Sequence, residues 1–320
     1  NEDEFLKAIL HRTHFKNKWF TIENQEEAIH MVAQYLLDKS KLQNWVNQYQ
    51  ISNSNPPKTI GIVLSENIPL VGFHDILSVF LSGNISQIKL SENDRFLWPY
   101  LIKIIEKIDN QSSKYFQITN NIKGFDGVIA HLSNSTSPYL KTYFGKYPNI
   151  IRQNRRSIAV LSGKESELEL KELGKDIFKF YGLSNRSVSK IYVPNGYNFE
   201  PLLEVLHEFK SIILNDKYKH NFDYNYALLM LNKEEFKNNG CLIIREDASL
   251  QSRIASLHYE FYDDQANLEI DLHKNQDSIQ SIVAQNGFLG LKTIEFGQAN
   301  KPSLMDYEDG IDTMKFLTNL

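Results

Sequence analysis

The chain carries one thiol, Cys241, the first residue to consider as a nucleophile. A Cys thiolate attacks acyl groups near neutral pH far more readily than a Ser or Thr hydroxyl. Cys241 sits in Gly240-Cys241-Leu242-Ile243-Ile244, which reads as a buried strand. A thiol in apolar surroundings has a raised pKa and serves as a small hydrophobe, so a structural role is expected. Ser184 and Ser187 offer hydroxyls in the stretch Tyr181–Val193, but no His stands in that loop to activate them. His11 and His14 lie three apart with no third ligand in view, so no metal site is expected. His74-Asp75 reads either as a dyad or as helix capping and packing.

The elements that must position these groups follow from periodicity. Residues 1 to about 50 read as helical, with Ala28, Ile29, Val32, Ala33, Leu36 and Leu37 forming an apolar stripe. Ile51 to Pro57 is a polar break. From Thr59 the pattern becomes α/β. Thr59–Leu64, Asn84–Leu90, Asp126–His131 and Ser157–Leu161 read as strands, with helices over Leu70–Leu81 and Asp94–Ile108, the latter with Asp94 as a cap. Alternation of this kind implies a mostly parallel sheet with right-handed crossovers, which binds ligands at its carboxyl ends. Further on, Glu165–Tyr181 and Phe199–Leu214 read as helices, and Cys241–Arg245, Leu257–Tyr262 and Leu268–Leu272 as strands. Asp277–Ala284 reads as a helix. Tyr181–Val193 is a loop running into a strand, with Gly182 supplying flexibility and Pro194-Asn195-Gly196 closing the strand. No Gly-x-Gly-x-x-Gly or Walker sequence is present, so the usual phosphate-cradling loops are missing.

Composition narrows the function classes. A chain of 320 residues can hold two core-bearing lobes. Its formal net charge of −4 gives no general attraction to nucleic acid or membranes. No apolar run suffices for a membrane span. The acidic Asn1-Glu2-Asp3-Glu4 start is not expected to be a secretory leader. A single Cys forms no internal disulfide, which fits the cytoplasm.

Four segments, in order, resemble the aldehyde dehydrogenase superfamily. Ser65-Glu66-Asn67-Ile68-Pro69 is similar to its Pro-Trp-Asn-Phe-Pro segment. Leu81–Glu92 is similar to its Ala-Gly-Asn…Lys-Pro-Ser-Glu segment. The 181–193 stretch is similar to the nucleophile loop, where a Cys is followed five residues later by Arg or Lys and three later again by Val. Lys190 and Val193 keep those distances from position 185, which is Asn. Ile294–Ser303 is similar to the late Pro-Phe-Gly-Gly-x-Lys-x-Ser segment. Asn67–Asp75, Tyr143–Pro148, Val188–Pro194 and Asp306–Thr313 are similar to the short acyl-CoA reductase branch related to the fatty-acyl reductase of bacterial luminescence. The likeness runs from about Trp19 onward.

The resemblance implies an α/β, aldehyde dehydrogenase-like fold: a helical N-terminal segment, a Rossmann-like cofactor domain and an α/β catalytic domain. The expected divisions are 1–163 for the N-terminal helices and nucleotide-binding domain, and 164–295 for the catalytic domain. Residues 296–320 would return to the cofactor domain or form a subunit interface. The resemblance implies NADPH or NADH as cofactor and an acyl-CoA or acyl-carrier thioester as substrate, reduced to an aldehyde. Asn185 would occupy the nucleophile position, Asn67 would hold the oxyanion, and Lys89 would contact the adenosine ribose or a 2′-phosphate with Glu92 beside it. Glu260 would steady the nicotinamide ribose. Ser133, Asn134, Ser135 and Thr136 read either as a plain turn or as donors to the pyrophosphate. The superfamily's general-base Glu falls near Glu165, past its strand. A homo-oligomer is implied. Asn has no accessible pKa and its nitrogen lone pair is delocalised, so it cannot form the acyl-enzyme. Two readings therefore stand: a reductase impaired at its nucleophile, or a non-catalytic relative that binds nucleotide or acyl-CoA as a partner or regulator.

Overall fold

The structure is a computed structural model, and it describes residues 2–51, 56–131, 137–152 and 155–320. The chain divides into two compact units, Asn1–Asn154 with Pro302–Leu320, and Arg155–Lys301.

The first unit opens with helices α1 (Glu2–Lys16), α2 (Ile22–Met31) and α3 (Lys39–Val46). Thr21 caps α2 by accepting from the Asn24 N–H at 3.2 Å, and Asp38 caps α3 by accepting from the Lys41 N–H at 2.9 Å. Five strands follow: β1 (Thr59–Val63), β2 (Ile85–Lys89), β3 (Phe116–Ile118), β4 (Gly127–His131) and β5 (Asn149–Arg152). Between them lie α4 (Phe73–Leu81), α5 (Leu97–Ile108) and α6 (Ser137–Phe144). The sheet is parallel throughout, in the order β3-β2-β1-β4-β5. Its middle is fully buried: Ile60, Ile62, Val128, Ile129 and Ala130 are inaccessible to solvent, as strands covered on both faces require. Helix α5 starts three residues later than the sequence suggests. Phe96 makes no side-chain capping bond there, and Asp94 is buried instead of capping. The C-terminal stretch adds the helix Thr313–Thr318, whose Met314 packs with Leu36, Trp45 and Leu304.

The second unit is built on a six-stranded sheet. Its strands are β6 (Arg156–Val160), β7 (Val188–Pro194), β8 (Lys237–Asn238), β9 (Ile243–Glu246), β10 (Ser256–Tyr262) and β11 (Ile279–Ala284), in the order β11-β6-β7-β10-β9-β8. All pairings are parallel except β8 with β9. The strand expected within the nucleotide-binding domain, 157–161, thus hydrogen-bonds into this second sheet. Helices α7 (Glu167–Phe178), α8 (Glu200–His207), α9 (Asp216–Asn232) and α10 (Gln265–Lys274) complete the unit. Helix α7 starts with a capping box between Ser166 and Glu169. Leu170, Leu173 and Ile177 of α7 and Leu202 and Leu206 of α8 pack with Ile191, Val193 and Leu257 of the sheet.

Two expected elements exchange type. Residues 268–272 are helical, within α10, and 279–284 form a strand, β11. In Leu268-Glu269-Ile270-Asp271-Leu272 the apolar residues alternate like a strand. Only Leu268 and Leu272, four apart, are buried, while Ile270 is 53% exposed, the signature of one helix face. In β11 the register shifts between Ile279 and Ile282, and that irregularity spaces apolar residues by three, as a helix would.

Candidate active site

The order of the first sheet creates a switch point. From β1 the sheet builds outward through β2 and β3, and from β4 through β5 in the other direction. Parallel sheets bind ligands beyond the carboxyl ends of their strands at such a point. Asn67 lies in the loop leaving β1. Ser65 Oγ donates to Asn67 Oδ1 at 2.7 Å, which engages the carbonyl end of the amide. Lys89 closes β2 opposite Val63 and is exposed, as is Glu92. Glu66 accepts from Ser91 Oγ and from Asn93 Nδ2 (3.0 Å), so the loops after β1 and β2 are tied together. Burial, assisted by the charge of Glu66, pushes the carboxyl of Asp94 in the second loop up to about 7. The stretch Ser133, Asn134, Ser135 and Thr136 lies outside the described residues.

From Asn67 the chain turns sharply into α4, with Leu70 at φ 58° and Gly72 at φ 73°. A Cβ on Gly72 would stand 2.4 Å from Leu64 Cδ2 and 3.2 Å from His131 Nε2, so only Gly fits there.

That turn delivers Asp75 into a buried charge network the sequence does not announce. Asp75 does not pair with His74. His74 Nε2 meets the Leu304 carbonyl at 2.9 Å and its ring lies 5.1 Å from that of Trp45. The partner of Asp75 is His131, at the end of β4, with Nε2 2.8 Å from Oδ2. Arg152, at the end of β5, donates from Nη2 to Asp75 Oδ1 at 2.5 Å, from Nε to Oδ2 at 3.3 Å, and from Nη1 to the Glu308 carbonyl. Thr313 Oγ1 accepts from Arg152 Nη2 at 2.7 Å and donates to Asp75 at 3.0 Å. Burial raises the Asp75 carboxyl, but the guanidinium and the His131 hydrogen bond outweigh it and hold the group well below the usual range. Burial opposes charge on His131, yet Glu308 and Asp75 carry its pKa above the ordinary value. Asp75, His131 and Glu308 place ligand atoms within 4.8 Å of one another, but the Arg152 guanidinium already supplies the cation Asp75 needs. This network braces the carboxyl ends of β4 and β5 against α4.

The second unit holds the Asn185 loop. Before it, Phe180 (φ 51°), Tyr181 (φ 59°) and Gly182 (φ 73°) are left-handed in succession. Two bulky residues in that region cost roughly 1–3 kcal/mol each and persist only where surroundings impose them. Ser187 Oγ donates to the Lys179 carbonyl at 3.2 Å, closing the turn, and buried Phe180 anchors it. Ser184–Ser187 forms a tight turn, with the Ser187 N–H 3.0 Å from the Ser184 carbonyl. Ser157 Oγ donates to the Asn185 carbonyl at 3.1 Å, pinning the loop to the start of β6. The chain then enters β7.

Lys190 on β7 is fully buried. Its ammonium donates to the Ala248 carbonyl at 2.8 Å and to Glu260 Oε2 at 2.5 Å, on neighbouring β10. Glu260 is therefore one half of an ion pair behind the loop. Glu165 accepts from the Ser162 N–H (2.5 Å), Ser162 Oγ (2.7 Å) and the Gly163 N–H (3.1 Å), which makes it the clasp of the turn after β6.

Cys241 is inaccessible to solvent, and burial pushes its thiol up to about 11, against a smaller lowering by Asn239. The native protein is expected to leave an aromatic disulfide reagent almost unreacted, with the thiol appearing on unfolding in urea. Rapid native labelling would contradict the assignment.

Known proteins agree with this architecture. The family model described as acyl-CoA reductase (LuxC) matches residues 8–196. Among solved structures, aldehyde dehydrogenase 21 from Physcomitrella patens, in complex with the reaction product succinate, aligns with TM-score 0.66 and 12% identity over 99% of this chain and 82% of its own. The NAD-dependent aldehyde dehydrogenase from Sinorhizobium meliloti aligns with TM-score 0.55 and 10% identity, over 72% of this chain and 55% of its own. A mutant of the P. syringae indole-3-acetaldehyde dehydrogenase AldA, in complex with NAD+ and IAA, aligns with TM-score 0.54 and 11% identity over 73% and 57%. The chain thus spans little more than half the length of the latter two. No curated protein sequence matches it. Among the described residues no helix is long and apolar enough to cross a membrane. With more than half of its length matched, from α1 past the end of β7 and through the Asn185 loop, the chain belongs to the LuxC acyl-CoA reductase family.

Proposed function

We propose that the chain is built to bind a nicotinamide nucleotide and an acyl thioester, and that reduction to the aldehyde is impaired because position 185 carries Asn. The observation that carries this reading is the family match, which spans both the strand-end crevice and the Asn185 loop. In this reading Lys89 contacts the adenosine ribose or a 2′-phosphate, with Glu92 beside it, and Asn67 donates to the thioester oxyanion. Glu260 meets the nicotinamide ribose. Fit to the nucleotide is supported by an exposed ammonium at the end of β2 beside a switch-point crevice. The nicotinamide, when bound, supplies the hydride. The protein's part is to hold the acyl carbonyl against donors where negative charge develops. The cytoplasm, a homo-oligomer, and CoA or a carrier arm as leaving thiol belong to the same reading.

Replacing Lys89 by Ala is expected to weaken NADPH binding by about tenfold, as loss of one charge-assisted contact does. Fluorescence titration of NADPH and NADH checks this. A larger loss for NADPH assigns Lys89 to the 2′-phosphate. If neither nucleotide binds the parent chain, the reading fails.

A non-catalytic partner or regulator is the second reading. It is favoured by the absence of any accessible thiol: Asn185 has none and Cys241 is sealed in the core. NADPH consumption with acyl-CoA that disappears in Asn67→Ala would exclude it.

A further inference from the structure

The largest chemical oddity outside the crevice is a cavity in the second unit, at the amino-terminal edge of its sheet. It has a volume of ≈ 660 Å³. Residues 182, 183, 188 and 189, flanking Asn185, form part of its wall. Arg156, one residue before the Ser157 that pins Asn185, and Arg253 both line it. No Asp or Glu is among the lining residues, and among the described residues neither arginine has a carboxylate partner. Arg156 Nε is buried without a hydrogen-bond partner. Burial lowers the pKa of Arg156 below its usual value, so its charge is uncompensated. Arg253 is exposed and reaches only the amide oxygen of Asn225, at 3.5 Å. Ala255, on the same wall, is held at φ 61°, a left-handed conformation outside glycine.

A buried guanidinium such as that of Arg156, in a concave, acid-free wall, is costly unless an anion meets it, and exposed Arg253 adds a second donor fork on the same wall. The chain as a whole is acidic, so this concentration of positive charge does not come from its average composition. The forked donors of Arg match the paired oxygens of carboxylate and phosphate. A purely aliphatic acyl chain would leave the buried Arg156 Nε unpaired.

We infer that this cavity binds an anionic oxygen group, carboxylate or phosphate, carried by the thioester substrate, with Arg156 and Arg253 as its binding residues. The inference rests on the proposed function for naming the thioester, but its test reads binding without turnover. The two sources of the anion are a carboxylate at the far end of the acyl group and the phosphates of the leaving arm. The geometry is consistent with either, because the cavity opens beside both flanks of position 185.

The test is calorimetric titration of two probe pairs into the full chain: CoA against uncharged pantetheine, and glutarate against its dimethyl ester. At least one charged probe is expected to bind about tenfold or more tightly than its uncharged partner. Arg156→Gln and Arg253→Gln are each expected to erase that preference. The CoA pair identifies phosphate recognition, and the glutarate pair identifies a carboxylate-bearing acyl group. Arg253 is exposed, so Arg253→Gln carries the test if Arg156→Gln fails to fold. No charge preference in either pair, or a preference that survives Arg253→Gln, overturns the inference. Failure of the reductase reading shows separately, as a chain that binds no nicotinamide nucleotide.

Discussion

Replacing Asn185 by Cys is expected to raise acyl-thioester reduction by at least about 10³-fold over the parent chain, since removing a nucleophile from an enzyme costs that much or more. The loop is already formed: three left-handed residues set its entry, Ser157 pins its carbonyl, and β7 fixes its exit. Asn and Cys differ little in volume, so the substitution adds a thiol without rebuilding the turn. The amide of Asn185 can donate a hydrogen bond but offers no attacking lone pair. The check is aldehyde formation from an acyl-CoA with NADPH, measured for parent and variant side by side. An increase that Asn67→Ala removes again ties the gain to oxyanion stabilisation. An inactive variant that still binds both ligands would mean that the loop has lost its positioning as well as its thiol.

Asp75→Asn is expected to destabilise the first unit by about 3–5 kcal/mol at neutral pH, because it leaves the buried Arg152 without its counter-charge. Asp75, Arg152 and His131 are all nearly inaccessible, so solvent does not screen the loss. Urea unfolding at pH 7 measures it. The pH dependence carries its own signature. The folded carboxyl of Asp75 lies below its unfolded value, so its contribution is complete above about pH 4 and is lost as pH falls further. The difference between parent and variant should therefore shrink in acid. His131 acts in the opposite sense. Its folded pKa is raised, so its contribution is present below about pH 6.5 and fades as pH rises through the folded value. Asp94, and Asp176 of α7, which accepts from the Gly297 N–H at 2.6 Å and the Ala299 N–H at 3.1 Å, are both pushed to about 7 by burial; they also favour the folded state on the acid side and lose that advantage between about pH 4 and 7. A variant as stable as the parent at pH 7 would show the network to be bystander chemistry.

The alternation of Thr59–Leu64, Asn84–Leu90 and Asp126–His131 with apolar helices announced the parallel sheet and its carboxyl-end crevice, because each of those runs is long enough to show a period. The strands Phe116–Ile118 and Asn149–Arg152 were silent, being three and four residues long. Candidate site residues could be named from sequence where neighbouring residues mark their segments. Asn67, Lys89 and Asn185 stand in local segments whose order is readable from the chain. The Asp75–His131–Arg152 network was not legible, since its members are 56 and 77 residues apart and meet only through the sheet order. The sole hint was a His closing an otherwise apolar strand. Of the two readings of His74-Asp75, packing holds: His74 meets the Leu304 carbonyl and Trp45, while Asp75 turns to His131 and Arg152. Glu260 shows the same limit in reverse: its partner, Lys190, is visible only once β7 and β10 are side by side. Arg155-Arg156 at the start of β6 could have flagged the cavity, but nothing local distinguishes a wall arginine from a surface one.

Intact-mass measurement of Asn185→Cys after incubation with an acyl-CoA, without nucleotide, tests the assignment of position 185 most directly. The predicted result is one acyl group added to the variant, mapped by peptide analysis to position 185, and none on the parent. An unmodified variant, or an adduct on Cys241, would contradict the account.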